Sequence, residues 1–157
     1  GAEVIACTDS LRFGEISKSK TKWIHEGVVS GIAGYGNPLG IPNIGGDLYY
    51  NKGYNENCLV TLVTFGIVRE DNLIHSYATK NANGCDLMLI GKPTDNSGFG
   101  GASFASVELE EEKKEKNKGA VQEPNAFLER HLLKSTYALF NILRSKNLID
   151  QVGFKDL

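Results

Sequence analysis

The chain has 157 residues, of which 41% are hydrophobic and 23% are charged, and its formal net charge is −2. This length and composition are typical of a globular protein that can bury an apolar core. The small net charge argues against a general attraction to nucleic acid or to an acidic membrane surface, and no apolar run approaches the ~20 residues of a membrane-spanning helix.

The first half of the chain predicts strands around one helix. Glu3–Cys7 is an apolar strand, and Asp9 and Ser10 follow it. A helix comes next, with apolar side chains at helical spacing, and it is predicted to end at a turn at Asn37 and Pro38. Three of its glycines each lower helix propensity by roughly 1 kcal/mol, so we expect them to allow close packing against a sheet. They are Gly27, Gly31 and Gly34.

Three further strands are predicted by apolar and β-branched runs. They cover Asn43–Tyr50, Leu59–Arg69 and Asp86–Gly91. Between Asp71 and Gly84 the chain becomes polar, which predicts a domain boundary near residue 80. We therefore expect residues 1–80 and 81–157 to belong to different domains.

The rest of the second half predicts a loop, a charged segment and one long helix. The loop is Lys92–Gly101, and it is rich in Gly, Asp, Asn and Ser. The charged run Glu108–Lys118 has almost no apolar face, which predicts a solvated surface segment. The helix is expected to begin at about Pro124, because proline suits the first helical turn, and to end near Lys146.

The three cysteines indicate a reducing compartment. Cys7, Cys58 and Cys85 lie in or beside apolar, strand-like runs, and no two of them form a Cys-x-x-Cys pair. We therefore expect buried, reduced thiols in a cytoplasmic protein, rather than disulfides or metal ligands.

Two acids are candidate site residues. Asp9 follows a strand, and ligands of open α/β sheets bind beyond the carboxyl ends of strands; the same residue could equally cap or turn the chain. Asp47 follows Gly45 and Gly46. Glycines let the backbone come close to a ligand, and an acid beside them can reach Mg²⁺, although a turn at the strand entry would explain Asp47 as well.

Two further segments have groups that could bind a polar ligand. The glycine-rich stretch Thr94–Ser103, which includes Gly101 and Ser103, could form an anion-binding nest of backbone N–H groups. A plain flexible loop has the same composition. Gln122 stands just before the long helix, where its amide could hydrogen-bond a polar substrate or simply be solvated.

Three glycine-containing motifs carry a resemblance to a known family. They are Gly34–Gly40 (Gly-Tyr-Gly-Asn-Pro-Leu-Gly), Ile41–Tyr50 (Ile-Pro-Asn-Ile-Gly-Gly-Asp-Leu-Tyr-Tyr) and Gly100–Ser106 (Gly-Gly-Ala-Ser-Phe-Ala-Ser). In their order and residues they resemble motifs of the large, synthetase subunits of the phosphoribosylformylglycinamidine synthases, which belong to the aminoimidazole-ribonucleotide-synthetase superfamily. The resemblance spans nearly the whole chain but only a middle portion of such a subunit. It implies a mixed α/β (α+β) fold, with a half-barrel-type sheet and helices followed by the start of an α/β sandwich domain.

The resemblance also implies an activity. These enzymes convert formylglycinamide ribonucleotide to its amidine in purine biosynthesis, with ATP, Mg²⁺ and ammonia from a glutaminase subunit, and with a small accessory subunit. Gln122 matches a substrate-binding glutamine, and Asp156 matches a magnesium ligand. The catalytic residues of the family match nothing in this chain, so none is assigned. Asn96, Ser97 and Gly100 replace an arginine, an aspartate and a histidine of many members, so the phosphate contacts of those residues do not carry over.

Two other functions stay open at this point. One is a kinase or cyclo-ligase of the same superfamily, such as thiamine-monophosphate kinase, and the other is a non-catalytic assembly module. We expect this chain alone to be inactive. We also expect it to self-associate through the strands of residues 43–69, because a partial domain leaves a sheet edge and an apolar face uncovered.

Overall fold

A computed structural model describes residues 1–93, 95–98, 119 and 122–155. These residues form a three-stranded sheet and two long helices. The strands are β1 (Glu3–Phe13), β2 (Asn43–Tyr50) and β3 (Leu59–Ile67), and the helices are α1 (Ser19–Leu39) and α2 (Ala126–Ser145). The predicted mixed α+β class is therefore confirmed.

Strand β1 is the centre of the sheet. The order is β2-β1-β3, with β1 parallel to β2 and antiparallel to β3. A parallel pair needs a long crossover connection, and α1 provides it between β1 and β2. The fold therefore begins with a β-α-β unit, to which β3 is added on the other side of β1.

The prediction that β1 ends at Cys7 is wrong, because the strand continues to Phe13. Asp9 consequently lies inside the strand rather than beyond its end. It pairs with Gly46 on one side and with Leu62 on the other. Backbone partners on both sides extend the strand through a polar stretch that local pattern alone would end.

Helix α1 differs from its prediction at its end and in its packing. It runs through Pro38 to Leu39 and ends at Gly40, which has a φ of 70° and donates its N–H to the carbonyls of Asn37 and Gly36. A left-handed glycine is a favoured way to end a helix. The helix tolerates Pro38 because a proline in the last turn frees only one carbonyl, that of the exposed Gly34.

The glycines of α1 do not approach the sheet, so that expectation was also wrong. A Cβ added at any of the three would meet no atom within 4 Å. The helix instead contacts the sheet at its first turns, where His25 packs against the fully buried ring of Phe13, with centroids 5.1 Å apart. Tyr50 contacts both rings, with its centroid 6.1 Å from that of Phe13 and 6.0 Å from that of His25.

The predicted strand at Asp86–Gly91 is absent from this part of the structure. Residues 85–90 have no regular structure, and the side chain of Leu87 is fully exposed. A strand is stable only beside other strands, and among the described residues none lies alongside this segment. Strand β3 also ends two residues earlier than predicted, at Ile67.

The long helix α2 confirms its prediction within two residues. Asn125 is its N-cap, and the Asn125 side chain accepts a hydrogen bond from the N–H of Leu128 at 2.9 Å. The helix packs back onto the start of the chain. Tyr137 Oη accepts from Val4 N at 3.2 Å and donates to Ala2 O at 3.1 Å. Segments on the two sides of residue 80 are therefore in direct contact.

The buried core of the described residues is small. Its apolar members are Ala6, Cys7, Phe13, Leu39 and Phe140. By contrast, most large apolar side chains of β3 are exposed, and they lie on both faces of the strand: Leu59, Val60, Leu62, Val63, Phe65 and Ile67. Neither α1 nor α2 is both long and apolar enough to cross a membrane, and no other helix in the described ranges is.

Candidate functional site

A groove between α1 and the β1–β2 side of the sheet encloses about 550 Å³. Its walls are largely apolar, and its polar side chains come from the middle of β1, from β2 and from the end of α1. The polar lining residues are Cys7, Asp9, Asn37, Asn43 and Asp47. A second hollow of about 560 Å³ is lined by Arg69, Glu70 and Asp71. We favour the groove as the candidate site, because it alone of the two contains a buried charged group.

Asp9 is that buried group, with 6% of its surface exposed. Asn43 Nδ2 donates to its Oδ2 at 2.5 Å, and Asn43 Oδ1 in turn accepts from Gly45 N at 3.2 Å. A buried carboxylate needs such a donor to offset its loss of hydration. Asn43 was not identified from the sequence, because nothing local indicates that residue 43 lies beside residue 9.

Gly46 is required by the same strand pair. Its φ is 136°, and an added Cβ would overlap the carbonyl oxygen of Asp9. The sequence suggested that this glycine admits a ligand close to the backbone. The structure shows instead that it admits the backbone of β1, so the close approach is within the sheet.

Asp47 is held by an arginine. Arg12 Nη1 donates to Oδ1 at 2.9 Å, and Arg12 Nη2 donates to Oδ2 at 2.7 Å. Hydrogen bonds from Arg12 and then Ser10 lower the pKa of Asp47, and the same pairing raises the pKa of Arg12. Arg12 binds both carboxylate oxygens in this fork-like pair, so a metal at Asp47 would compete with the arginine or use the remaining lone pairs of those oxygens.

The cysteines follow their prediction in part. All three are free thiols, but Cys7 is buried, Cys58 is half-buried and Cys85 is exposed. Burial, and then the charge of Asp9, raises the pKa of the Cys7 thiol, and its Sγ lies 3.7 Å from the carbonyl oxygen of Pro42. Exposure of Cys85 follows from the missing strand at residues 86–91.

Gln122 lies in a different place from the groove, beside the turn of residues 95–98. A Cβ added at Gly98 would lie 3.4 Å from Cβ of Gln122. The turn itself is held by Asp95, whose Oδ1 accepts from Ser97 N at 2.8 Å and from Ser97 Oγ at 2.6 Å. Gln122 is exposed, so its amide is accessible to a ligand.

Three of the predicted site residues lie outside the described residues: Gly101, Ser103 and Asp156. In the ranges that the structure covers, no three His, Cys, Asp or Glu side chains are grouped so that they could hold a metal ion. Asp9 and Asp47 line the same groove. Asn43 already donates to one carboxylate oxygen of Asp9, and Arg12 donates to both carboxylate oxygens of Asp47.

Comparison with known proteins places the first half of the chain beside one class of domain. Residues 1–68 match a family model described as "AIR synthase related protein, N-terminal domain". Over the whole chain, the resemblance to the synthetase subunit is also confirmed. The sequence is 48% identical to phosphoribosylformylglycinamidine synthase subunit PurL of Methanothrix thermoacetophila over 100% of this chain. It is 46% identical to the PurL subunit of Thermus thermophilus over 87% of this chain.

Solved structures agree with this relationship. T. maritima PurL complexed with FGAR matches 99% of this chain with a TM-score of 0.73 and 30% identity, over 23% of that chain. T. maritima PurL complexed with ATP matches 90% of this chain with a TM-score of 0.62 and 25% identity, over 19% of that chain. The chain spans about a fifth of the length of the curated relatives that it matches, 21% and 18% for the two above. It thus resembles a part of the synthetase subunit.

Proposed function

We propose that this chain is part of an ATP-dependent amidine synthase, a carbon–nitrogen ligase of purine biosynthesis. Its reaction would convert formylglycinamide ribonucleotide to formylglycinamidine ribonucleotide with glutamine-derived ammonia. The observation that carries the proposal is the match of 99% of the chain to a PurL structure complexed with FGAR. The similarity to PurL complexed with ATP supports ATP as the second substrate.

The chain's part in this reaction is to bind and orient. ATP supplies the phosphoryl group that activates the amide oxygen of the substrate, and ammonia then displaces phosphate. In such phosphoryl transfer most of the catalysis is positioning and charge neutralisation. We propose Gln122 as a substrate-binding residue and Asp156 as a magnesium ligand, both on the resemblance of their motifs, and we assign no proton transfer to any described residue.

The partners, domains and location follow from the same proposal. Similarity to the structure described as PurLQS from Thermotoga maritima, over 99% of this chain, supports an assembly with glutaminase and small accessory subunits. A domain boundary near residue 80 is supported by the end of the family match at residue 68. The free cysteines suit a cytoplasmic protein.

Replacement of Gln122 by alanine tests the substrate role. In the protein that carries this chain, we expect Gln122→Ala to weaken binding of formylglycinamide ribonucleotide by about 1–3 kcal/mol, because a polar ligand loses one hydrogen-bond partner. ATP affinity should stay nearly unchanged. Isothermal titration calorimetry with each ligand measures both effects.

Gln151 provides the matched control, since it is also exposed and lies in a short helical turn away from the residue 95–98 turn. Gln151→Ala should leave both affinities unchanged. If Gln122→Ala bound the ribonucleotide as tightly as this control, the proposed role of Gln122 would be wrong.

An assembly role has its own support in the exposed strand β3. Leu62 is 58% exposed on one face of β3 and Val63 is 47% exposed on the other. Exposed apolar surface of this kind marks an interaction surface, and β2 and β3 are both open edges in the described sheet. We propose that two copies of the chain associate through the strands of residues 43–69.

A charge introduced on β3 tests this association. Val63→Glu should raise the dimer dissociation constant at least about tenfold, because a buried unpaired carboxylate costs more than the 1.4 kcal/mol that corresponds to a tenfold change. Sedimentation velocity over a concentration series measures the constant. The control is Ser135→Glu, at an exposed position of α2. A monomer at every concentration, or equal effects of both variants, would contradict assembly through β3.

A further inference from the structure

Lys92 connects two segments that are 31 positions apart. Its Nζ donates to Glu123 Oε2 at 3.0 Å and also forms a close ion pair with Asp95. Glu123 directly follows Gln122, and Asp95 opens the turn that ends at Gly98. One ammonium group thus links the turn to the residue after the glutamine.

Other contacts hold the same two segments together. Gly98 N donates to Gly119 O at 2.8 Å. Glu123 N lies 3.4 Å from Ser97 Oγ, in a longer hydrogen bond. Since Ser97 is itself bound to Asp95, a continuous set of polar contacts runs from Lys92 through the turn to the backbone on the far side of Gln122.

Lys92, Asp95 and Glu123 form a charged cluster. Its charges argue against a direct contact between Lys92 and a phosphate. Hydrogen bonds that Lys92 donates to Asp95 and then to Glu123 raise the pKa of Lys92, and the bonds from Lys92 and then Ser97 lower the pKa of Asp95. The pairing therefore favours the charged forms of Lys92 and Asp95. Two carboxylates already surround one ammonium, so the cluster has a net charge of −1 and does not attract an anion.

We infer that Lys92 is a positioning residue for Gln122: by holding both Asp95 and Glu123, it keeps the glutamine against the Asp95–Gly98 turn. This inference rests on the proposed substrate role of Gln122. With its neighbour Glu123 held by Lys92, the Gln122 amide faces the ribonucleotide in fewer orientations than it would without that ion pair. Exposed ion pairs contribute little to global stability, so loss of Lys92 acts on ligand binding and leaves the fold intact.

A double-mutant cycle tests the inference in the protein that carries this chain. The variants are Lys92→Met, Gln122→Ala and the two combined, with calorimetric affinity for formylglycinamide ribonucleotide and for ATP, and melting temperature, as readouts. We expect Lys92→Met to weaken ribonucleotide binding about tenfold without a change in ATP affinity or melting temperature. The combined variant should bind no more weakly than Gln122→Ala alone, because residues that act through one another are not additive.

Two further variants complete the design. Lys92→Arg keeps the cation and should restore most of the affinity, whereas Lys80→Met, at an exposed lysine of the described chain, should have no effect. The inference is overturned if the Lys92 and Gln122 effects add, if Lys92→Met lowers ATP affinity and melting temperature as well, or if it changes nothing while Gln122→Ala weakens binding. In the last case the proposed function stands. If Gln122→Ala itself has no effect, the proposed substrate role fails and the inference fails with it.

Discussion

Replacement of Gly46 by alanine is expected to destabilise the fold by about 2–4 kcal/mol. The φ of 136° at this position is rare for residues with a side chain, and the new Cβ would overlap the carbonyl oxygen of Asp9. That oxygen belongs to the central strand. Because β1 is paired on both sides, it cannot move away without breaking one of the two ladders.

Gly45 is the natural control for this variant. It has an ordinary backbone conformation, and a Cβ there would lie 3.8 Å from Cγ2 of Thr8, which is a normal contact distance. Gly45→Ala should change the free energy of unfolding by less than about 1 kcal/mol. Chemical denaturation of both variants measures the difference, and equal stabilities would show that β1 and β2 are not this close at residue 46.

Replacement of Asn43 by leucine is expected to cost about 1–3 kcal/mol of folding free energy. Leucine has nearly the shape of asparagine but no donor, so the buried carboxylate of Asp9 loses the hydrogen bond from Nδ2. The second bond of this amide, from Gly45 N to Oδ1, is exposed. Water can replace that bond, so the loss comes mainly from Asp9.

Removal of both partners separates the hydrogen bond from the packing. The combined variant Asp9→Leu and Asn43→Leu should recover much of the stability that Asn43→Leu loses, since two apolar groups in place of a buried polar pair are close to neutral. Denaturation of the wild type, the single variant and the double variant supplies the comparison. A double variant less stable than Asn43→Leu would show that Asp9 is stabilised by groups other than Asn43.

Helix α2 and the sequence motifs were predictable because the residues that specify each of them are consecutive in the chain. Pro124 and the apolar stripe that follows it are contained in about 20 consecutive residues, and a helix forms its hydrogen bonds within such a segment. Helix α2 was accordingly predicted within two residues at its start. The motifs around residues 34–50 and 100–106 likewise carried the resemblance to the synthetase subunits without any knowledge of contacts.

The candidate site depended on contacts between distant positions. Asp9 meets Asn43 and Gly46, and Asp47 meets Arg12, across the β1–β2 pairing. A sequence pattern shows that strands exist, but it does not show their register. The predicted ligand roles of Asp9 and Asp47 therefore could not include the side chains that occupy their oxygens.

The sequence by itself determined the resemblance to the PurL subunits, the mixed α+β class, the helix α2 and the candidate polar residues. Only the tertiary structure decided that β1 continues to Phe13, that the residue 86–91 segment forms no strand, and that Lys92 joins Asp95 to Glu123. The physical reason is the range of the interactions. A helix is stabilised by neighbours in sequence, whereas the strand pairs, the Asp9–Asn43 hydrogen bond and the Lys92–Glu123 ion pair join residues that are 31 or more positions apart.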